Sequence, residues 1–495
     1  MAAGTQCASR LRALRTANAK TVHSLTTAHP DRAGAQRGPP PARVVVLSDL
    51  HMGAGAGSGR GDPLECFFHD RALVALLDRL AGSWARRGLQ GSLVLNGDSV
   101  DFVRIVRLPG GPEEVRAWGR LLSAARVAAP AGALDAAAAG RFGALEQRYG
   151  FDASEYESVW KLWVAAQGHA AVFAALARWC RAGHELVVVR GNHDSEWAWP
   201  GVRRAFRVLL QDSGAGPLGG RVRFRMGAYR NRNLHVEHGH AVRWTTSVDG
   251  RLTGGVRPRL KQPFGSLLNR YLLNPVERLA QRPPDVPSAL HLKRLLQQEP
   301  GRLGRRLLRN ALRDLPAFGR AGWRSWHRRA HRLWPTRVAD ALGLALLSLP
   351  FLSPHVLAAL SLDSPSALTG TALLALATPH LGLAVLELVN TVRDDTVQRA
   401  RALARRLAAR LLPPGTPGDR IVILGHTHLP ELLSHPAASG RIIYANPGCW
   451  QGEDDRLAGG RPCFVWCAWD GVAYRRTRLL ELPVAPRGCR TRARS

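Results

Sequence analysis

In five segments of the sequence, aspartate, histidine or asparagine residues follow shortly after a short apolar run. They are 43–53 (RVVVLSDLHMG), 92–102 (SLVLNGDSVDF), 186–194 (LVVVRGNHD), 233–240 (NLHVEHGH) and 421–428 (IVILGHTH). Carboxylate, imidazole and amide ligands without thiolate suit a borderline divalent ion such as Mn, Fe, Zn, Co or Ni. The supply is enough for two ions about 3.5–4 Å apart, which would clamp the attacking and leaving oxygens of a phosphoryl group. One carboxylate must bridge such a pair, and Asp98 is the candidate.

The elements that must position these side chains are strands. The apolar runs are short and rich in β-branched residues, which predicts buried strands. In open α/β sheets, ligands bind at the carboxyl ends of strands. Five polar strand ends in one chain therefore predict convergence on a shared site. The glycine-rich stretch 53–61 does not predict a phosphate-binding loop, because it lacks the Gly-Lys-Ser/Thr ending.

Taken in order, the motifs DLH, GDSVD, GNHD, HGH and GHTH resemble those of the calcineurin-like metallophosphoesterase superfamily. The resemblance covers residues 43–250 and 415–480, and it implies an α/β fold, a four-layer αββα sandwich. Asn446-Pro447-Gly448 matches a loop that this family usually carries after its last ligand strand. Protein serine/threonine phosphatases carry Arg-Gly where Phe102-Val103 stands here, and UDP-2,3-diacylglucosamine hydrolases carry arginine where His193 stands. The chain thus resembles the superfamily better than either branch, which leaves the substrate open.

The resemblance implies two metal sites that share one carboxylate. The ligands of the first ion would be Asp49, His51, Asp98 and His428. The ligands of the second ion would be Asp98, Asn192, His238 and His426. His193 would face the leaving group without binding metal, and Asp101 would orient it. Two such ions would supply a bridging hydroxide that attacks phosphorus in line, with histidine as the general acid.

Neighbouring residues leave alternatives open. His238 and His240 compete for one ligand position, and the family pattern favours His238. Asp194 is expected to cap a following helix. His235 falls on the opposite strand face from His238 and is expected to be structural. The tryptophans at 197 and 199 either shape a substrate pocket or pack in the core.

Composition adds a strong positive charge. The chain has 495 residues with 69 Lys and Arg against 37 Asp and Glu, a formal net charge of +32. An anionic partner is one explanation of this excess. A mutationally biased genome is the other, since Ala, Gly, Arg and Pro are all abundant.

The 7 cysteines are too sparse for a disulfide framework, and Cys463 and Cys467 are expected to pack in a strand. No secretory signal is evident in residues 1–42, so a cytoplasmic protein is expected.

The motifs divide the chain into a core and two insertions. Residues 1–42 and 483–495 are expected to be basic tails, the first disordered. The catalytic core would comprise residues 43–250 and 416–482, with a helical cap insertion at about 105–180. A larger insertion would span 251–415, and its residues 251–337 carry 20 Lys and Arg against 4 Asp and Glu. Arginine-rich helices with apolar residues opposite are typical of segments on an acidic membrane surface.

Two segments without formal charge follow, at 341–362 and 364–386. Each is long enough to cross a bilayer core of about 30 Å. They predict either a two-span hairpin, with the catalytic core at the inner face of the cell membrane, or a soluble helical pair packed on that core. Both alternatives return the chain to the side where GHTH can join the other motifs.

The leading hypothesis is a dinuclear-metal phosphoesterase that hydrolyses a phosphoester or phosphoanhydride near a membrane. A lipid-linked or nucleotide-linked phosphate would explain the adjacent arginines. The first alternative is a nuclease whose arginines follow a nucleic-acid backbone. The second alternative is a non-catalytic scaffold on the same fold, which should have lost ligands, whereas this chain keeps all seven and His193.

Overall fold

A computed structural model of the protein describes most of the expected core. The described residues are 41–55, 62–243, 246–248, 250, 252–253, 258–279, 313–314, 317–318, 320–321, 395–412, 416–452 and 462–482. The predicted tails at 1–42 and 483–495 lie outside these residues except for 41 and 42. The described residues form a mixed α/β structure with two mixed sheets, which confirms the predicted α/β class.

The described strands form a six-stranded and a five-stranded sheet. The six-stranded sheet contains, in spatial order, β11 (Tyr474–Glu481), β10 (Cys463–Trp469), β1 (Arg43–Leu47), β2 (Gly91–Asn96), β3 (Glu185–Val189) and β4 (Val222–Arg225). The five-stranded sheet contains β5 (Ala228–Asn231), β6 (Leu234–Glu237), β7 (Arg420–Leu424), β9 (Gly440–Asn446) and β8 (Glu431–Ala437). Strands β1 to β4 run parallel, as do β6, β7 and β9. The predicted ligand motifs begin at the carboxyl ends of β1, β2, β3, β6 and β7.

Helices occupy the connections between these strands. The described α-helices are α1 (Asp70–Ala85), α2 (Pro112–Ala124), α3 (Ala133–Ala138), α4 (Ala144–Tyr149), α5 (Glu155–Gly168), α6 (Ala170–Arg181), α7 (Pro200–Leu210), α8 (Phe264–Leu268), α9 (Asn274–Leu279) and α10 (395–408). Helix α7 shows why such segments are helical. It starts with a proline at its first turn, and its buried Val202, Phe206 and Leu209 recur at helical spacing on one face.

Alternating side chains of each central strand enter two different apolar clusters, as the two-residue period of a strand requires. Val45 and Leu47 of β1 pack in a cluster with residues of helices α1, α2, α5, α6 and α7. Val44 and Val46 enter a second cluster, which also contains Ile421 and residues of strands from both sheets. Residues 422 and 424 of β7 enter a third cluster with Ala400, Ala404 and Ala408 of α10. The two sheets thus share one apolar cluster, and each sheet also contributes side chains to a cluster that contains helices.

The predicted cap insertion at about 105–180 is helical, as expected, and consists of α2 to α6. It is part of the main core, since Trp160 of α5 and Trp179 of α6 are fully buried in the same cluster as Val45 and Leu47. The described beginning of the larger insertion, 258–279, also contacts the core. Ser266 donates to the Asn192 carbonyl at 3.3 Å, and Asn274 Nδ2 donates to the Val103 carbonyl at 2.9 Å.

The prediction of a two-span membrane hairpin requires correction. Within the described residues, no helix is both long and apolar enough to span a bilayer. A span needs about 20 apolar residues, whereas α1, with 16 residues, is as long as any α-helix described. The hairpin, and the placement at the inner membrane face that depended on it, are therefore wrong by this finding. The two apolar segments, 341–362 and 364–386, lie outside the described residues.

Candidate metal centre

The backbone at the strand ends adopts an unusual conformation. Seven non-glycine residues of the described chain have positive φ, and five of them are predicted metal ligands. These five are Asp49 (55°), His51 (54°), Asp98 (49°), His426 (70°) and His428 (60°). A left-handed conformation costs a non-glycine residue about 1–3 kcal/mol and persists only where the surroundings enforce it. The fold therefore enforces strain at the positions that the sequence assigns to chemistry.

Two of the predicted ligand groups are brought together as expected. Asp49, His51 and His428 offer ligand atoms that all lie within 4.8 Å of one another. His428 Nε2 is 3.1 Å from Asp49 Oδ1, and His51 Nε2 is 4.0 Å from the same oxygen. The second group contains Asp98, His238 and His426, again within 4.8 Å.

Asn192 belongs beside the second group. Its Oδ1 lies 3.2 Å from His238 Nε2, and Asp98 Oδ2 is also 3.2 Å from that nitrogen. His238 Nδ1 is hydrogen-bonded to the Asn96 carbonyl at 2.9 Å. A backbone partner on Nδ1 fixes the ring so that Nε2 is the atom available to a metal. All seven predicted ligands thus lie in two adjacent groups.

Two buried ligand atoms have no hydrogen-bond partner. They are Asp49 Oδ1 and His51 Nε2, in residues that are 0% and 2% exposed. Asp49 Oδ1 has the His428 imidazole beside it at 3.1 Å as an ion-pair partner. An unpaired buried polar atom costs free energy, and a divalent cation between these atoms would satisfy both. The donor set of carboxylate, imidazole and amide oxygen fits a borderline divalent ion.

The charged side chains of the second group shift one another's pKa values. Burial alone would raise the pKa of Asp98, but the positive charges of His238 and His193 hold it well below its usual range. Burial alone would lower the pKa of His238, but the Asp98 and Asp49 carboxylates raise it to about 10. Burial and the charge of His238 lower the pKa of His426 to about 3. A metal ion bound at His238 would therefore displace a proton from the ring at neutral pH.

Asp101 lies behind the metal ligands and contacts two histidines. Its Oδ2 is 2.9 Å from His51 Nδ1, and both its oxygens are 3.0 Å from His193 Nδ1. The His193 side chain is 16% exposed, whereas Asp101 is buried. Burial lowers the pKa of His193, but Asp101 and Asp98 more than compensate and raise it to about 9. His193 is thus a partly exposed ring held at Nδ1 by the Asp101 carboxylate, whose charge favours the protonated form.

Close backbone approaches fix the ligand loops. The backbone N–H of His193 donates to Asp98 Oδ1 at 2.8 Å, and that of His426 donates to Asp49 Oδ2 at 3.0 Å. A Cβ at Gly191 would overlap Asp98 Oδ1, so the GNHD turn requires glycine there. These contacts link loops from different strands directly through the ligand carboxylates.

The structure also places His240, His235 and Trp197, for which the sequence had left alternatives open or suggested a structural role. His240 lies beside His238, with the ring centroids 5.5 Å apart and the rings tilted by 37°, but it belongs to none of the ligand groups, which favours His238 as the ligand. His235 is paired with Glu237 at 3.0 Å, consistent with the predicted structural role. Trp197 is buried against Phe102 and packs in the core.

The predicted capping role of Asp194 is wrong. Its side chain makes no cap hydrogen bond to the 3₁₀ helix Ser195–Ala198. It instead accepts the Ser99 backbone N–H and hydroxyl at 2.8 and 2.9 Å and the Gly191 N–H at 2.6 Å. These bonds join the loop after β2 to the loop after β3, so Asp194 holds two ligand loops together.

Three supporting residues were missed at the sequence level. Glu65, Lys161 and His169 are almost fully buried and contact the ligand loops or the residues next to them. None follows a strand or lies in a motif. The sequence offered one signal for them. Lys161 is one of few lysines in the chain, and it stands in a segment with many apolar residues.

No protein-family model matches the sequence, and the search of curated proteins found no match either.

Proposed function

We propose that this protein is a calcineurin-like metallophosphoesterase, which hydrolyses a phosphoester or phosphoanhydride with two divalent ions. The five motifs in family order support this assignment. The packing of both sheets against a common cluster, with helices on their outer faces, supports the four-layer αββα sandwich expected for that family.

One observation carries the proposal. Asp98 Oδ2 lies 3.2 Å from His238 Nε2 in one ligand group and 3.8 Å from His51 Nε2 in the other. A single carboxylate oxygen therefore stands between the two groups, as a bridging ligand must. Two divalent ions held there would neutralise charge on a phosphoryl group and lower the pKa of a water molecule.

The protein's own residues would complete the reaction. Asp101 occupies the Nδ1 side of His193, so Nε2 is the atom left to deliver a proton to the departing oxygen. Because the pKa of His193 is raised to about 9, the ring carries that proton at neutral pH. Loss of the proton to the leaving group is general acid catalysis, which contributes about 10²–10⁴-fold. Asp101 holds the ring in position and stabilises its charged form.

A substrate panel tests the proposal. The purified protein, loaded with Mn²⁺, would be assayed on phosphomonoesters, phosphodiesters, nucleotide-sugar anhydrides and single-stranded nucleic acid. Hydrolysis of at least one class, abolished by a chelator and restored by Mn²⁺, is expected. Cleavage of nucleic acid with steep salt dependence would identify the nuclease alternative. A protein that binds no Mn²⁺ would contradict the proposal.

A histidine variant provides the matched control for that panel. His435 is half-buried on β8 and lies outside the ligand groups. His435→Gln should hydrolyse the substrate at the wild-type rate, whereas His238→Gln should lose activity together with bound metal. Equal activity of these two variants would show that the observed hydrolysis does not come from this centre.

A further inference from the structure

Helix α5 (Glu155–Gly168) lies behind two of the loops that carry predicted metal ligands. It belongs to the cap insertion and contains no motif. Lys161 lies in the helix, and His169 follows its last residue. Eight positions separate them, about 12 Å of rise, so the two side chains reach levels of the helix about two turns apart.

Lys161 contacts the loop that carries Asp98 and Asp101. Its ammonium is 2% exposed and donates to the Phe102 carbonyl at 3.0 Å. The backbone N–H of Phe102 donates in turn to the His193 carbonyl at 3.1 Å. One side chain of α5 is therefore linked, through the residue after Asp101, to the turn that carries His193.

His169 contacts the first ligand loop through Glu65. The imidazole Nε2 is 3.3 Å from Glu65 Oε2, and Nδ1 is 2.8 Å from Asp70 Oδ1. Glu65 accepts the backbone N–H of Gly53 at 3.2 Å and that of Gly55 at 2.5 Å. Gly53 is the last residue of the DLHMG segment that contains His51, and Gly55 lies two residues further along the chain.

The helix end also touches this loop through backbone alone. A Cβ at Gly55 would overlap the Gly168 backbone, and a Cβ at Gly168 would overlap the Ala54 carbonyl. Gly55 has φ of 80°, so glycine is required there on conformational grounds as well. The two segments cross at a distance that only a glycine pair permits.

Stability alone does not account for this arrangement. Burying an ammonium and a carboxylate costs free energy that apolar packing of the same volume would avoid. The loops that these groups hold contain Asp49, His51 and Asp98, all in the left-handed region. Strained residues of this kind persist only where surrounding contacts over-determine them.

We propose that α5 is a positioning element that holds both ligand loops, with Lys161 acting on the Asp98–Asp101 loop and His169, through Glu65, on the Asp49–Gly55 loop. This inference rests on the proposed metal centre for its functional meaning. Its structural content, that removing these groups loosens the two loops, is independent of any metal.

Hydrogen–deuterium exchange of the metal-free protein tests that content. Lys161→Met keeps the length of the side chain without its charge, and Glu65→Gln keeps the shape of the carboxylate. Ser158→Ala is the matched control, because Ser158 also lies in α5 but bonds only to the Ser154 carbonyl of its own helix. Glu65→Gln should speed exchange at least tenfold in a peptide covering 49–55, and Lys161→Met should do so in one covering 98–104. Ser158→Ala should change neither.

Calorimetric titration with Mn²⁺ provides the functional readout. Glu65→Gln and Lys161→Met should each weaken Mn²⁺ binding about tenfold, the usual effect of removing an outer partner of a ligand. Exchange and affinity that both match the Ser158→Ala control would overturn the inference. Faster exchange in a protein whose wild type binds no Mn²⁺ would retain the structural content and reject the proposed function instead.

A measurement on the unaltered protein keeps the test decisive if a variant does not fold. The amides of Gly53 and Gly55 should exchange as slowly as those of the α5 interior, because Glu65 accepts both. Exchange at the rate of an exposed loop would contradict the proposal.

Discussion

His51 and His193 point their Nδ1 atoms at the same carboxylate, with ring centroids 4.8 Å apart in an edge-on arrangement. One of these rings is a predicted metal ligand and the other is the predicted general acid. The shared Asp101 therefore couples the position of a ligand to the charge of the acid. Changes at this carboxylate should affect both metal binding and the pH dependence of turnover.

Asp101→Asn should move the alkaline limb of the pH–rate profile to lower pH. Asp101 is the largest contribution that raises the pKa of His193 to about 9 against the lowering effect of burial. Without it, the pKa falls, so the proton needed by the leaving group is lost at lower pH. We expect kcat to fall about 100-fold at pH 8 and less at pH 6. An unchanged profile would remove Asp101 from its assigned role.

His193→Ala should remove turnover while retaining the metal. The ring contacts Asp101 through Nδ1 and lies outside the groups that contain Asp49 and Asp98. It shares a third possible ligand group with His51 and Asp101, in which both rings turn Nδ1 towards that carboxylate. We expect a loss of about 10²–10⁴-fold in kcat, with the metal content per chain unchanged by plasma mass spectrometry. Loss of metal in parallel with activity would instead make His193 a ligand.

Asp98→Asn should weaken the binding of both ions. The carboxylate lies between the two ligand groups, and an amide supplies one neutral oxygen in place of the bridging charge. Metal content after dialysis should drop to less than half of the wild-type value. Asp212→Asn, on an exposed residue, changes the charge equally and should leave the content intact. Loss of a single ion from Asp98→Asn would show that the carboxylate does not bridge.

Gly191→Ala should displace Asp98 without altering any ligand. A methyl group there would overlap the carboxylate and the backbone nitrogen of Asp98. Crowding of this kind costs about 1–3 kcal/mol of unfolding free energy, and we expect weaker Mn²⁺ binding as well. Gly220→Ala is the control, because nothing lies within 4 Å of the added carbon. Equal stability and affinity of the two variants would contradict the close approach.

The grouping of the candidate ligand residues could be predicted because each follows a strand in the sequence. Asp49, Asp98 and His426 come one or two residues after runs whose length and branching already indicate buried strands. The parallel order of those strands then places the residues at adjacent sheet ends. Sequence spacing was sufficient to predict which residues meet, because each residue's place at the sheet end is set by the strand that precedes it.

The supporting contacts could not be predicted, because each joins segments far apart in the chain. Glu65 and His169 are separated by 104 positions, and Asp194 bonds to Ser99 across 95. Nothing in the local pattern distinguishes such a buried polar side chain from a surface one.

His169 should make stability depend on pH between about 6.5 and 9. Burial lowers its pKa, but the hydrogen bonds to Asp70 and Glu65 raise it to about 9. A pKa raised by folding stabilises the protein fully below the unfolded value of about 6.5, and this contribution disappears as pH rises through about 9. The contribution at low pH is on the order of 3 kcal/mol.

Urea unfolding of wild type and His169→Gln, without metal, checks this linkage. The wild type should be the more stable at pH 6.5, and the difference between the two should shrink by about 2–3 kcal/mol by pH 9.5. His193 and His238 also have raised pKa values, so the wild type alone loses stability in this window for several reasons. The difference between the two proteins isolates His169, because both carry the other histidines. A difference that stays constant across this range would show that His169 is not protonated in the folded protein.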